Sequence, residues 1–209
     1  MCGRFYIESD IDDIISSFNI IKVNNTAQIK GEVFPGTNIP VVLKNKFKEL
    51  ASLRWGFKIK GLGREVINAR IETVSEKPAF KKAFESKRCI IPANAFFEWE
   101  TIEKSKIKYK ISINNSNLFS MAGLYETFID NHGNPYTGVV ILTRPANEAM
   151  SRLHHRMPVF ISKDEEEIWL TKDSYSVEVL QKKLQESDWF DLRIEPAEGT
   201  RQLSIYDMI

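Results

Sequence analysis

Cys2 is the residue whose position alone confers chemistry on this chain. Met1 is readily trimmed when the next side chain is small, and its removal would leave a cysteine with a free α-amine beside its thiol. The ordinary pKa of an α-amine is about 7.7–8.0 and that of a cysteine thiol about 8.5, so near neutral pH part of the amine is unprotonated and some thiol is thiolate. Such a 1,2-aminothiol condenses with an aldehyde through its amine, and the thiol then adds to the same carbon to close a five-membered thiazolidine. Alternatively the thiol attacks an acyl carbon with the amine as its own base. The plainer reading is a cysteine destined for burial, as most free cysteines are.

Three other places carry groups that could assist. Glu98 lies between Phe97 and Trp99 in an aromatic run, and on a strand it would share a face with Asn94 and Phe96, opposite Phe97 and Trp99. Burial there would raise its carboxyl toward a catalytic range, whereas an edge-strand glutamate would simply reach solvent. Asn68 and Arg70 fall on one side of an alternating segment; the amide could orient an oxygen-bearing substrate and the guanidinium could grip a phosphate or carboxylate in two-pronged fashion. His154-His155-Arg156 follows a helical stretch, where a histidine beside an arginine suits general acid–base work. Cys2, Cys89 and the three histidines show no zinc-type spacing, so no metal is expected. Phosphate-cradling glycine loops and a Gly-x-Ser-x-Gly elbow are missing from the sequence.

The elements that must position these groups follow from periodicity. Gly3–Ile7 reads as a strand, and Ser9 as the cap of a short helix with Ile11, Ile14, Ile15 and Phe18 on one face. Residues 22–40 read as irregular, with Val41–Leu43 and Phe47–Phe57 as strands and Lys58–Glu65 as a basic loop. Val66–Thr73 alternates with period two. A helix is expected over Ser75–Glu85, a strongly apolar strand region over Arg88–Glu100, and further strands over Ile107–Ile113, Leu118–Tyr125, Gly138–Thr143 and Val159–Ile161. Helical spacing recurs at Pro145–Leu153 and Ser174–Glu186, and Ser162 caps an acidic first turn. Together these predict a single α+β domain over residues 1–209, built on mostly antiparallel, barrel-like sheet with peripheral helices.

Composition sets the outer bounds. Of 209 residues, 43% are apolar and 27% charged, the balance of a soluble globular chain. No apolar run approaches the roughly 20 residues of a membrane span, and no basic-then-apolar leader precedes residue 10, so a cytoplasmic location is expected. That setting also argues against a Cys2–Cys89 disulfide. The net charge of +1 gives no global nucleic-acid signature. The charge is uneven, however: Lys44, Lys46, Lys48, Arg54, Lys58, Lys60 and Arg64 cluster against Glu49, and Asp164–Glu167 forms an acidic pole.

Taken in order, the short motifs resemble the SRAP family, the SOS-response-associated peptidase domain. The matching pieces are Met1-Cys2-Gly3-Arg4-Phe5, Trp55-Gly56, Ile67–Thr73, Phe80 and Phe84, Arg88–Ala93, Phe96-Phe97-Glu98-Trp99 and His154-His155-Arg156-Met157-Pro158. The resemblance implies a protein of the DNA-damage response, nucleoid-associated, that senses abasic sites in single-stranded DNA. It would shield them by a thiazolidine between an exposed Cys2 and the ring-opened sugar aldehyde. It further implies a self-processing peptidase activity that removes Met1, lyase-type Schiff-base chemistry, and no cofactor; a monomer is expected. Carried over by residue, Cys2 supplies amine and thiol, Asn68 positions the opened sugar, Glu98 serves the amine as acid–base, and His154 assists imine formation and reversal. Arg4, Arg70 and Arg156 are the implied phosphate contacts, with the Lys44–Arg64 segment beside them.

The chain departs from that pattern at Glu32-Val33-Phe34-Pro35, where the family commonly has Asn-x-x-Pro. It departs again after Trp55-Gly56, where a proline and a tryptophan are replaced by Phe57-Lys58-Ile59-Lys60-Gly61-Leu62. The missing aromatic weakens any base-stacking role for that loop. Two rival readings remain open at the level of sequence: a non-covalent reader of single-stranded or modified DNA, and a hydrolase like the class II glutamine amidotransferases, which also open on Met-Cys-Gly. The second would need an Asn-Gly oxyanion element, and this sequence contains no Asn-Gly.

Overall fold

The computed structural model describes residues 2–24, 29–59, 61–103, 105–130, 132–172, 174–188 and 190–197. In chain order its elements are β1 (Phe5–Ile7), α1 (Ile11–Phe18), β2 (Lys22–Asn24), β3 (Gly31–Val33), β4 (Asn38–Lys44), β5 (Lys48–Trp55), β6 (Asn68–Arg70), α2 (Pro78–Ser86), β7 (Arg88–Ala93), β8 (Ala95–Ile102) and β9 (Ser105–Ile113). There follow β10 (Phe119–Ile129), β11 (Pro135–Pro145), α3 (Glu148–Ser151), β12 (Arg156–Pro158), β13 (Phe160–Ile161), α4 (Glu166–Leu170), α5 (Val177–Glu186) and β14 (Leu192–Pro196).

Most strand pairs are antiparallel, as expected, and they make two sheets. The smaller runs β14-β9-β8-β1-β3; the larger runs β12-β11-β10-β7-β4-β5-β2, with β6 beside β11 and β13 beside β10. The larger sheet closes on itself, because β5 also pairs with β11, Gly138 opposite Arg54 and Val139 opposite Trp55. Strands β11, β10, β7, β4 and β5 therefore form a five-stranded barrel. Two glycines make the closure possible. A Cβ on Gly138 would lie 2.3 Å from the Gly56 carbonyl oxygen, and Gly56 itself sits at φ +153. Its N–H donates to Val139 O at 2.9 Å.

The barrel strands are apolar on both faces for a simple reason: both faces are covered. Val41, Cys89, Ile91, Met121, Val139 and Ile141 pack with Phe5, Phe96 and Ile111 of the smaller sheet. Their sequence neighbours Val42, Ile90, Ala122, Val140 and Leu142 pack with Phe18, Phe84, Trp169, Leu180 and Leu184 of the helices. All six residues of β7 are buried, which explains the unbroken apolar run Cys89-Ile90-Ile91.

Several sequence expectations are corrected. Residues 22–40 are not wholly irregular; they contain β2, β3 and the start of β4. The short β2 and β3 carry too little alternation to be visible. The apolar region Arg88–Glu100 is two strands in different sheets, parted at Asn94. That side chain ties the break: Oδ1 accepts from the Glu8 and Ser9 N–H groups at 2.7 and 3.2 Å, and Nδ2 donates to Ser9 Oγ at 2.9 Å. Ser9 therefore belongs to this corner, and the α1 cap falls one residue later at Asp10, whose N–H donates to Asp13 Oδ2 at 3.1 Å. The strand expected over Val66–Thr73 forms a regular strand only at Asn68–Arg70, with Val66 in an isolated antiparallel bridge to Phe57, and the helix expected over Pro145–Leu153 shortens to α3.

Candidate active site

The chain's start is threaded into the core between the two sheets. Phe5 pairs with Val33 of β3 on one side and Phe96 of β8 on the other, which fixes the strand register that delivers Cys2. Cys2 is fully buried. Its carbonyl accepts from Asn68 Nδ2 at 3.0 Å, and its thiol points at Arg4 O, 3.6 Å away. The expectation of an exposed, partly ionised cysteine is overturned. Burial, and next the nearby Glu98 carboxylate, push the thiol well above its ordinary value, so at neutral pH it is S–H.

Asn68 is positioned by β6, which lies parallel to β11 with Asn68 opposite Ile141. The amide is 8% exposed and its Oδ1, buried, has no hydrogen-bond partner among the described residues. Leaving such an acceptor unsatisfied costs about 1–3 kcal/mol, a cost that a donor from a bound molecule would remove. Arg70, two residues on, is exposed.

Glu98 sits on an inner strand of the smaller sheet, opposite Tyr109 of β9. It shares the inward face with Phe96, opposite Phe97 and Trp99, as the alternation predicted. It is 4% exposed, so the solvent-reaching alternative fails. Burial raises its carboxyl above the ordinary range, and positive charge and a hydrogen bond at the chain's N-terminus draw it partway back.

His154 follows α3 and is half-buried, while His155 is exposed and stacked on it, ring centroids 4.3 Å apart. His154 Nδ1 lies 2.9 Å from the Arg156 N–H and 3.2 Å from Arg156 O; the shorter contact, with the N–H donating, is that of a neutral ring carrying its proton on Nε2. Burial lowers the His154 pKa below its ordinary value, and the positive N-terminus and His155 lower it further. Glu98 and His154 thus both feel the charge at the chain's start.

The arginines divide. Arg4 is about a third exposed, salt-bridged to Glu32 at 2.8 Å, with its guanidinium 4.0 Å above the Phe34 ring. Arg156, expected at a phosphate, is instead buried: its guanidinium grips both oxygens of Glu72, one at 2.9 Å, and Thr143 O at 2.6 Å. Part of the basic Lys44–Arg64 segment is also paired with carboxylates. Lys44 pairs with Glu167 and Thr171 Oγ1, and Lys48 lies 3.8 Å from both Glu166 and Glu167, so the basic and acidic poles meet each other. Arg54 is held in two-pronged fashion by Glu65 at 2.9 and 3.1 Å. Lys60 lies outside the described residues. Sequence reasoning gave Glu72 no role, although it stands inside the Ile67–Thr73 motif; only its distance from Arg156 in the chain hid the pair.

Trp55-Gly56 also finds its explanation here. Trp55 is fully buried, edge-on to Phe5 at 5.1 Å, and its Nε1–H donates to Ile67 O at 3.0 Å, next to Asn68. The pair closes the barrel and steadies the strand that presents the amide. Among the described residues no three His, Cys, Asp or Glu side chains converge in a way that could hold a metal ion, and no helix among them is long and apolar enough to cross a membrane.

The fold and site together define a barrel-centred α+β domain that buries Cys2 in its core, its carbonyl bonded to the Asn68 amide and its thiol near the buried Glu98 carboxyl. The comparison with known families narrows this. The sequence pattern of the family described as SOS response associated peptidase (SRAP) matches residues 1–198, and the chain belongs to that family. It is similar to the abasic site processing protein YoqW of Bacillus subtilis, 42% identical over 202 residues, covering 92% of this chain and 90% of that protein. The abasic site processing protein YoaM of the same organism is 41% identical, covering 92% and 88%. A solved structure from Bordetella bronchiseptica, 19% identical, shares the fold with a TM-score of 0.81 over 94% of this chain and all of that one.

Proposed function

We propose that this chain handles abasic sites in single-stranded DNA and caps them covalently through Cys2. The observation that carries the reading is the convergence on the chain's start of Glu98, with a raised pKa, and His154, with a lowered one. Two groups pushed apart in this way can act as acid and base at one pH. The names of the relatives support the abasic site as substrate.

On this reading Met1 is removed first, freeing the Cys2 amine. His154 hydrogen-bonds the sugar ring oxygen through its Nε2–H while the anomeric hydroxyl proton passes through water to that oxygen, and the ring opens to the aldehyde. Glu98 takes a proton from the Cys2 ammonium, the amine adds to the aldehyde carbon, and water leaves to give an imine. Asn68 holds the Cys2 carbonyl through Nδ2 and offers its vacant Oδ1 to a sugar hydroxyl. The thiol, un-ionised in its buried setting, acts second: its sulfur adds to the imine carbon and its proton passes to nitrogen, closing the thiazolidine. Arg4 and the exposed Arg70 face the flanking phosphates, and Arg156 serves by holding the His154 loop to β11. Whether Met1 leaves by the chain's own peptidase action is a separate step, tested by the mass of Glu98→Ala and Cys2→Ala proteins.

The test is a denaturing gel of the purified protein incubated with uracil-containing single-stranded DNA treated with uracil glycosylase. A heat-stable adduct is expected, from protein whose intact mass lacks one methionine. Cys2→Ser should give only an imine that borohydride traps. Undiminished DNA binding by Cys2→Ala with no adduct from the wild type would favour the non-covalent reader instead.

A further inference from the structure

The face of the smaller sheet turned away from the core has a composition that neither the barrel nor the Cys2 site requires. Residues directly opposite on paired strands share a face. Tyr6 stands opposite Glu32 and Ala95, Phe97 opposite Lys110, and Trp99 opposite Lys108. All of these lie on the side away from Phe96 and Glu98. The rings are covered by cations in place of apolar neighbours. Lys110 Nζ is 4.4 Å from the Tyr6 ring, Lys108 Nζ is 4.0 Å from the Phe97 ring, and the Arg4 guanidinium is 5.6 Å from Trp99. Tyr6 and Phe97 meet edge to face at 6.3 Å.

We infer that this outer face, spanning β3, β1, β8 and β9, is a track on which single-stranded nucleic acid stacks its bases. The inference takes its partner from the abasic-site reading above but rests on different residues. Aromatic rings interleaved with cations are what a single strand requires: every base has a flat face to stack, and each is followed by a phosphate. Charge fits as well. Arg4, Lys106, Lys108, Lys110 and Arg193 stand on this face against Glu32 and Glu195, in a chain whose net charge is only +1. Glu32 holds Arg4 and Lys108 at 2.8 and 2.5 Å, which keeps both cations over the rings until phosphates compete for them. Arg4, two residues from Cys2, links this face to the start of the chain. Four strands about 4.8 Å apart give a width of about 14 Å, similar to the four-stranded sheets on which RNA-binding domains stack two or three bases. Phe34, 44% exposed beneath Arg4, extends the row past β3. It supplies an aromatic where the Lys58–Gly61 loop lacks one. Phe97 is only 5% exposed beneath Lys108, with Tyr6, Trp99, Lys108 and Lys110 half-buried. A cation–π ladder that merely steadies the sheet would contribute about 0.5–2 kcal/mol per contact and would leave DNA binding untouched.

The experiment follows fluorescence anisotropy of undamaged oligothymidylates from about 4 to about 16 nucleotides, together with crosslinking to a short abasic oligonucleotide. The variants are Tyr6→Leu with Lys110→Gln, and separately Lys106→Glu on an exposed side chain in case the first pair fails to fold. Wild-type affinity should rise with length. The double variant should lose at least about fivefold on the long oligonucleotides, with the salt slope shallower by about 0.7 for the lysine removed. Its crosslinking to the short abasic substrate should be unchanged. Equal affinity of variant and wild type for long oligonucleotides overturns the track. A wild type that shows the length-dependent loss on substitution yet never crosslinks abasic DNA would sink the covalent reading and leave the track standing.

Discussion

His154 and Arg156 are locked to each other through the backbone: the Arg156 N–H donates to His154 Nδ1 at 2.9 Å while the Arg156 guanidinium is clamped to Glu72. One end of the residue sets the histidine tautomer and the other anchors the loop to β11 through Thr143. The imidazole therefore presents Nε2–H as a hydrogen-bond donor, and its lowered pKa keeps it neutral at pH 7.

That arrangement predicts unequal histidines. His154→Ala should slow adduct reversal by about 10²–10⁴-fold, and formation by less. His155→Ala, which removes an exposed ring stacked on its neighbour, should change either rate little. Single-turnover formation and release rates across pH 5–8 are the measurement, and the opposite ranking would assign the chemistry to the wrong ring.

Glu72→Ala should destabilise the fold by about 2–4 kcal/mol, less than loss of a fully buried partner because Glu72 is a third exposed. It leaves the Arg156 charge buried without its carboxylate. The Arg156 guanidinium also lowers the Glu72 pKa from its ordinary 4.5, although burial opposes this. A carboxyl held low in the fold stabilises above its unfolded value, and the contribution is lost as pH falls through the lower folded value. Urea unfolding of wild type and variant should therefore differ most above pH 5 and converge in acid. His154 15N shifts, read on the folded variant, should show mixing of tautomers.

Glu98→Gln should behave in the opposite sense. The folded carboxyl is raised, so its ionised form costs stability at every pH above that raised value, and the cost vanishes below the unfolded value of 4.5, where both states are protonated. The variant should melt higher than wild type at pH 8 and alike at pH 4. The same protein should form adduct more slowly and lose the acid limb of its rate profile. Equal melting at both pH values would mean that Glu98 is not strained by burial.

Gly138→Ala tests the barrel closure. The new methyl would meet the Gly56 carbonyl oxygen at 2.3 Å, a backbone atom that cannot rotate away. Overpacking of this kind costs about 1–3 kcal/mol, and here it would also part β5 from β11. Gly133→Ala meets nothing within 4 Å, although its φ of +84 adds local strain, so the larger loss of melting temperature should be at Gly138.

Much of this protein is determined by sequence alone. A cysteine at position 2 makes aminothiol chemistry available whatever the fold once Met1 is removed, because amine and thiol would then share one residue. Period-two alternation around Glu98 placed it on the face of Phe96, since successive strand side chains must point to opposite sides. The ordered motifs identified the family because each is local in the chain. Tertiary structure alone decided the rest. Alternation cannot say that Arg88–Glu100 leaves one sheet for another at Asn94, because both strands are apolar and the break is made by side-chain bonds to Glu8 and Ser9. Charge counts cannot say that Lys44 and Lys48 are spent on Glu166 and Glu167, more than a hundred residues away, or that Arg156 faces Glu72 and not solvent. The ordinary thiol pKa, fixed by chemistry, was reset by burial against Glu98. Partners, solvent and electric field are properties of packing between distant segments, and no local pattern encodes them.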